Sequence, residues 1–108
     1  MASKKKVPLW WLPPWMHKAR RKRARLQALR ARDGDLCWRC NKPMRFEGLP
    51  NCGKAATIEH RTARSQGGTW AMDNLVLCHV GCNRHLGDKP RAQKERMRIN
   101  LPAAGAAN

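Results

Sequence analysis

Within the run IEHRTARSQGGTWAMDNLVLCHVGCNRH, residues 58–85, Glu59 stands beside His60, and Asn74, Asn83 and His85 follow. Each has an ordinary structural explanation when taken singly: a surface histidine, a turn asparagine, a capping amide. Together they suit hydrolysis of a phosphodiester. A hard divalent cation prefers oxygen ligands, and Glu59 with Asn83 could supply them. Such a cation polarises a phosphate and stabilises the leaving 3′-oxygen. A neutral His60 could take the proton from the attacking water. His85 is an alternative to Asn83 at that cation.

The same run shares its end with a second set of ligands. Cys37-x-x-Cys40 and His79-x-x-Cys82 are two pairs of the kind zinc takes, and four N/S ligands make a closed, structural site. Cys78 competes with His79 for the fourth position. Strand alternation turns neighbours to opposite faces, so only one of the two should meet the metal, and the two-residue spacing favours His79. Cys52, in an Asn-Cys-Gly turn, is left as a free thiol. An odd number of cysteines, five, with two ligand pairs in metal-like spacing and no export signal, suits a reducing compartment better than a disulfide framework.

The elements that must position these residues can be read from propensity and punctuation. Residues 16–32 are helix formers without Gly or Pro, with Leu26 and Leu29 as a thin apolar stripe, and Asp33-Gly34 supplies the stop. Residues 36–44 form a tight Cys-x-x-Cys turn, and residues 45–55 a loop. Residues 56–59 and 74–78 read as short strands, joined by a loop with Gly67-Gly68 at its tip. Residues 81–86 read as a short helix ended by Gly87. One more polar helix falls within residues 90–99, and residues 101–108 read as a flexible tail. The fold expected is small α+β. It divides into an irregular Trp/Pro-rich arm (1–15), a basic helix (16–33), the site-bearing domain (34–89), and a polar helix with its tail (90–108).

Charge names the partner. The 108-residue chain has 23 Lys and Arg against 7 Asp and Glu, a net charge of +16. That surplus points to a polyanion. Residues 1–32 contain 11 basic residues and no acidic one, so most of the excess lies on the arm and helix. Arg20, Arg21, Lys22 and Arg23 are candidate contacts to nucleic-acid phosphates. The central domain is short for an apolar core alone, which makes a metal staple useful. The apolar stretch VPLWWLPPWM, residues 7–16, is too short and proline-rich to span a bilayer, and no small-residue cleavage site follows it. No membrane association and a cytoplasmic location are expected.

The ordered set of Cys-x-x-Cys, the acidic-His pair, Ser-x-Gly-Gly, Asn-Leu-Val-Leu and Cys-Asn followed by Gly-Asp-Lys resembles the HNH endonucleases, over about residues 37–89. The resemblance implies a ββα-metal finger stapled by structural zinc and a metal-dependent DNA endonuclease. It carries four roles to this chain. His60 becomes the general base. Glu59 becomes the acidic cation ligand, where Asp is commoner. Asn74 fixes the loop that orients the base. Asn83 becomes the third-position ligand, making an H-N-N variant. Cys37, Cys40, His79 and Cys82 match the zinc ligands of zinc-bearing members. Ala63 replaces a frequent Pro, and Leu86 stands where a substrate-contacting Lys is frequent. Docking on the minor groove would make Arg61, Arg64 and Arg84 phosphate contacts. Zinc is then the structural cofactor, and Mg²⁺, Mn²⁺ or another divalent cation the catalytic one. Low sequence specificity is expected, since no base-reading module is evident.

Two other readings differ in class. A non-catalytic zinc module would bind nucleic acid through the basic arm, with no use for Glu59, His60, Asn74 and Asn83. An accessory subunit of a phage DNA-packaging complex would dock on a larger protein through residues 7–16; some small HNH proteins resembling this one are encoded by phages beside packaging genes.

Overall fold

The computed structural model describes residues 10, 13–48 and 52–102. Most of the arm, much of the apolar segment 7–16, loop residues 49–51 and tail residues 103–108 lie outside the described residues.

The first helix, α1, runs Pro14–Asp33. It opens two residues before the expected Met16. Proline at the first helical position forfeits only an N–H that has no helical partner, so Pro14 starts the helix rather than breaking it. Gly34, at φ 84°, closes α1 and donates its N–H to Arg30 O. Leu29 is fully buried and Leu26 partly so, which turns the thin apolar stripe onto the core while the basic faces stay in solvent. Arg32 reinforces the docking by donating to Met72 O and Leu75 O, both at 2.8 Å.

Strands β1 (Ala56–His60) and β2 (Leu75–His79) pair antiparallel, with Ile58 opposite Leu77 and His60 opposite Leu75. β1 runs one residue past its expected end and β2 lies one residue later than expected, so His60 and His79 are the last residues of their strands. Every residue of β2 is buried because α1 packs against it and β1 lies alongside. Helix α2 (Val80–Leu86) follows β2 directly, and Gly87 at φ 55° ends it. Helix α3 (Arg91–Arg96) comes after Pro90. Fold and order fit a ββα-metal finger within a small α+β domain.

Two short 3-10 turns, Arg64–Gln66 and Met72–Asn74, shape the loop between the strands. Its glycines have different reasons. Gly67 adopts a left-handed conformation, φ 87°, that side chains disfavour. Gly68 lies so close to the Thr62 and Ala63 backbone that a Cβ there would fall 1.8 Å from Thr62 O.

Among the described residues, no helix is long and apolar enough to cross a membrane.

Candidate active site and metal centre

The knuckle is built by backbone hydrogen bonds before any metal is considered. Cys37 N donates to Lys42 O and Asn41 N to Cys37 O, and Asn41 takes the positive φ (56°) that the tight turn needs. Trp38 N donates to Leu77 O, which sets the turn against β2. Ligand atoms of Cys37, Cys40, His79 and Cys82 consequently all lie within 4.8 Å of one another. His79 Nδ1 is 3.3 Å from Cys40 Sγ and 3.8 Å from Cys82 Sγ. These separations are near the edges of a tetrahedron of zinc ligands, roughly 3.5–3.8 Å. His79 Nε2 donates to Pro43 O at 2.9 Å, which leaves the Nδ1 lone pair for a metal. In type, number and spacing the four residues could hold zinc.

Cys78 stays outside this group and His79 takes the fourth position, as the two-residue spacing predicts. Fully buried, its thiol donates to Cys37. That hydrogen bond, helped by the N–H groups of Cys40, His79 and Arg39, holds Cys37 well below the usual thiol range. The Cys78 thiol is pushed up in return, which suits a neutral donor rather than a thiolate ligand. Burial pushes Cys82 up to about 11, a cost that a bound dication would offset. Cys52 is a free, exposed cysteine.

On the far end of the finger, Asn74 ties the loop down. Its Oδ1 accepts from Thr62 N at 2.8 Å, and its Nδ2 donates to Thr62 O at 3.1 Å and Thr69 O at 2.9 Å. The Gly68 backbone makes the tight approach that lets Thr62 and Thr69 face one side chain. His60, immediately before this loop, is half-buried, and its Nε2 is enclosed without a hydrogen-bond partner. Trp70 from the same loop meets the imidazole edge-to-face, with centroids 4.4 Å apart. Burial first, then the cations Arg64, Lys94 and Arg25, lower the His60 pKa from its ordinary value of 6.5. At neutral pH the ring is therefore an uncharged base.

Glu59 is buried at 5% exposure, beside a partner that no sequence pattern announces. Lys94 of α3, fully buried, brings Nζ to 3.2 Å from Glu59 Oε1 and 2.9 Å from His60 O. Burial pushes the Glu59 carboxyl up, and the Lys94 ammonium pulls it back. Glu59 Oε2 is buried without a partner. Asn83 Nδ2 donates to Ile58 O at 3.0 Å, which anchors Asn83 one residue upstream of Glu59. A buried carboxylate oxygen without a partner is a donor of the type a divalent cation takes.

The remaining candidates separate. His85 lies two residues from Asn83 on α2, hence on another face. It lines a concavity of about 710 Å³ beside the zinc group, with Arg39, Lys42, Lys54, His79 and Cys82. Arg61 is not a free phosphate contact: its Nη2 pairs with Glu95 Oε1 at 2.8 Å. Arg64 and Arg84 are exposed. Arg20 and Arg23 line one shallow hollow on α1. Arg21 and Lys22 line another, with Lys18, Arg25, Arg64 and Trp70. The guanidinium carbon of Arg25 sits 4.8 Å from the Trp70 ring centroid, and that of Arg64 sits 5.5 Å from it. The basic helix thus reaches the loop beside His60. Sequence reasoning missed Arg25 and Trp70, because only the docking of α1 brings them together.

The family model for HNH endonuclease matches residues 37–89. Through those residues, the chain belongs to the HNH endonuclease family. The HNH match begins at the first zinc-group cysteine and contains Glu59, His60, Asn74 and Asn83. It supports a nuclease-type function and a nucleic-acid substrate in general terms. Arg25 and Lys94 lie outside it. No curated protein and no solved structure gave a match to the chain.

Proposed function

We propose that this HNH protein is a metal-dependent endonuclease that hydrolyses phosphodiester bonds in DNA, nicking or cutting duplexes with low sequence specificity. The observation that carries the reading is a half-buried His60 immediately before the Asn74-braced loop, its pKa lowered by burial, next in sequence to a carboxylate with one unpartnered oxygen. Glu59 Oε2 and Asn83 Oδ1 would hold the catalytic cation, Mg²⁺ or Mn²⁺. When bound, that cation supplies charge to the scissile phosphate and to the leaving oxygen.

The chain's own residues do the rest. His60 Nε2 is enclosed, so Nδ1 is the nitrogen that meets water. It accepts a proton as the water oxygen bonds to phosphorus and the P–O3′ bond breaks. Asn74 keeps the loop from carrying His60 out of line. Arg64, Arg84 and the α1 cations Arg20, Arg21, Lys22 and Arg23 track the flanking phosphates, so binding should weaken steeply with salt. Zinc on Cys37, Cys40, His79 and Cys82 supports the fold and takes no part in the chemistry.

The test is conversion of supercoiled plasmid with Mg²⁺ or Mn²⁺, wild type against His60→Ala. Cleavage should require the added cation and fall by about 10²–10⁴-fold in the variant. Undiminished cleavage by His60→Ala sinks the base assignment. The Lys94–Glu59 pair favours one second reading, a non-catalytic zinc-stabilised nucleic-acid-binding module, since it occupies one oxygen of the cation ligand. Tight DNA binding with no cleavage under any divalent cation would select it. An accessory role docked through residues 7–16 rests on a segment half of which lies outside the described residues.

A further inference from the structure

Lys94 changes what the candidate cation site can do alone. Its ammonium is fully buried, held by Glu59 Oε1 and His60 O, so it is a fixed charge rather than a solvated one. The segment carrying it is strapped on both sides. Glu95 pairs with Arg61 at 2.8 Å. Further along, Ile99 N donates to Arg39 O, Arg98 Nε to Trp38 O and Asn100 Nδ2 to Cys40 O. Lys94 is therefore tied to the zinc knuckle and cannot easily swing away.

The charge balance follows. Glu59 is the acidic ligand, Lys94 cancels it, and Asn83 is neutral. Among the described residues, the zinc group is the only cluster of three or more His, Cys, Asp or Glu spaced to hold a metal. Arg25 and Arg64 add positive potential at His60. A dication entering this site meets an unpartnered carboxylate oxygen and no net negative charge. A bridging phosphate of the substrate would supply what is missing.

We infer that Lys94 makes the cation site substrate-dependent: the divalent cation binds firmly only together with a DNA phosphate, because Lys94 neutralises Glu59 in the free protein. The inference rests on the nuclease reading for the location of the cation. Coupling of this kind is reciprocal, so the cation must tighten DNA binding by the same factor that DNA tightens cation binding. Lys94 is a positioning residue here: it holds Glu59 and the His60 backbone and touches neither water nor phosphate.

The experiment is a titration of the zinc-loaded full chain with Mn²⁺, free Mn²⁺ being read by its EPR signal. It is run with and without a phosphorothioate duplex that resists cleavage, the duplex alone serving as control. Wild type should bind Mn²⁺ weakly by itself and about tenfold or more tighter with the duplex. Lys94→Met keeps the aliphatic stem and removes the charge. It should bind Mn²⁺ about tenfold tighter without DNA and lose most of the coupling. Glu59→Gln added to Lys94→Met should abolish that gain.

Equal Mn²⁺ affinity of the wild type with and without duplex overturns the inference, and so does a Lys94→Met protein whose DNA-free affinity is unchanged or weaker. If Lys94→Met fails to fold, the wild-type comparison decides alone. Coupled binding with no plasmid cleavage would remove the nuclease reading and leave the coupling standing; cleavage without coupling would do the reverse.

Discussion

Around the zinc group, all four ligands come from the family-matched segment and two adjacent turns bring them together. Around His60, two of the neighbours that define its environment come from outside that segment, Lys94 from α3 and Arg25 from α1, and a third, Trp70, comes from the interstrand loop. The first site is local in sequence at each pair, closed, and supported by backbone hydrogen bonds. The second is assembled by docking three elements onto the end of one strand. A site of the first kind should fail completely when one ligand is lost. A site of the second kind should fail by degrees, because each neighbour tunes one property.

The largest effect is expected at the staple. Cys40→Ala removes one of four ligands, and structural zinc in small fingers contributes roughly 10–16 kcal/mol of apparent binding energy. The variant should lose zinc by metal analysis and lose its cooperative melt. A zinc-loaded, folded Cys40→Ala would show that the ligand set is wrong.

Next comes the loop. Asn74→Ala breaks three hydrogen bonds and leaves buried backbone groups unsatisfied, at about 1–3 kcal/mol for each such group. The melting temperature and plasmid cleavage should fall together while zinc content holds. Gly68→Ala should act similarly through the clash with Thr62 O. Unchanged cleavage in both would mean that the loop does not orient His60.

The third effect is on pH. Burial and the facing cations Arg64, Lys94 and Arg25 depress the His60 pKa below 6.5. His60 should therefore stay neutral as pH falls from 7 to 6.5, with kcat/KM holding there and dropping only below that. The same depression favours folding above the unfolded value and is lost as pH falls through the folded one. An acid limb at or above pH 7 in the free enzyme would contradict it.

The smallest effect separates two arginines that the sequence treats alike. Arg64→Ala should lower the slope of log K against log salt by about one, as expected for one exposed phosphate contact. Arg61→Ala should leave that slope unchanged and cost at most about 1 kcal/mol, since it loses a partly exposed pair with Glu95. Fluorescence anisotropy over a salt series measures both.

Local patterns were readable where chemistry and spacing coincide. The two ligand pairs, the acidic-His dipeptide, the Gly-Gly tip and the Asn before β2 all stand out, because each does its work within a few residues of chain. Strand ends were less readable: β1 and β2 each run one residue further, to His60 and His79, since pairing rather than propensity decides where a two-stranded ladder stops. The choice of His79 over Cys78 was readable from the two-residue spacing. What spacing could not show is that Cys78 is set against Cys37 as a hydrogen-bond donor.

By itself, the sequence determined the staple's ligand types, the family-matched core and the excess of positive charge, because these depend on residue identity and short spacing. Tertiary structure alone decided that Lys94 neutralises Glu59, that Arg61 pairs with Glu95, and that α1 carries Arg25 to Trp70 beside His60. Those contacts join residues 34 to 45 positions apart, and no local periodicity encodes them. They arise from the packing of α1 on β2 and from the strap that fixes α3 to the knuckle.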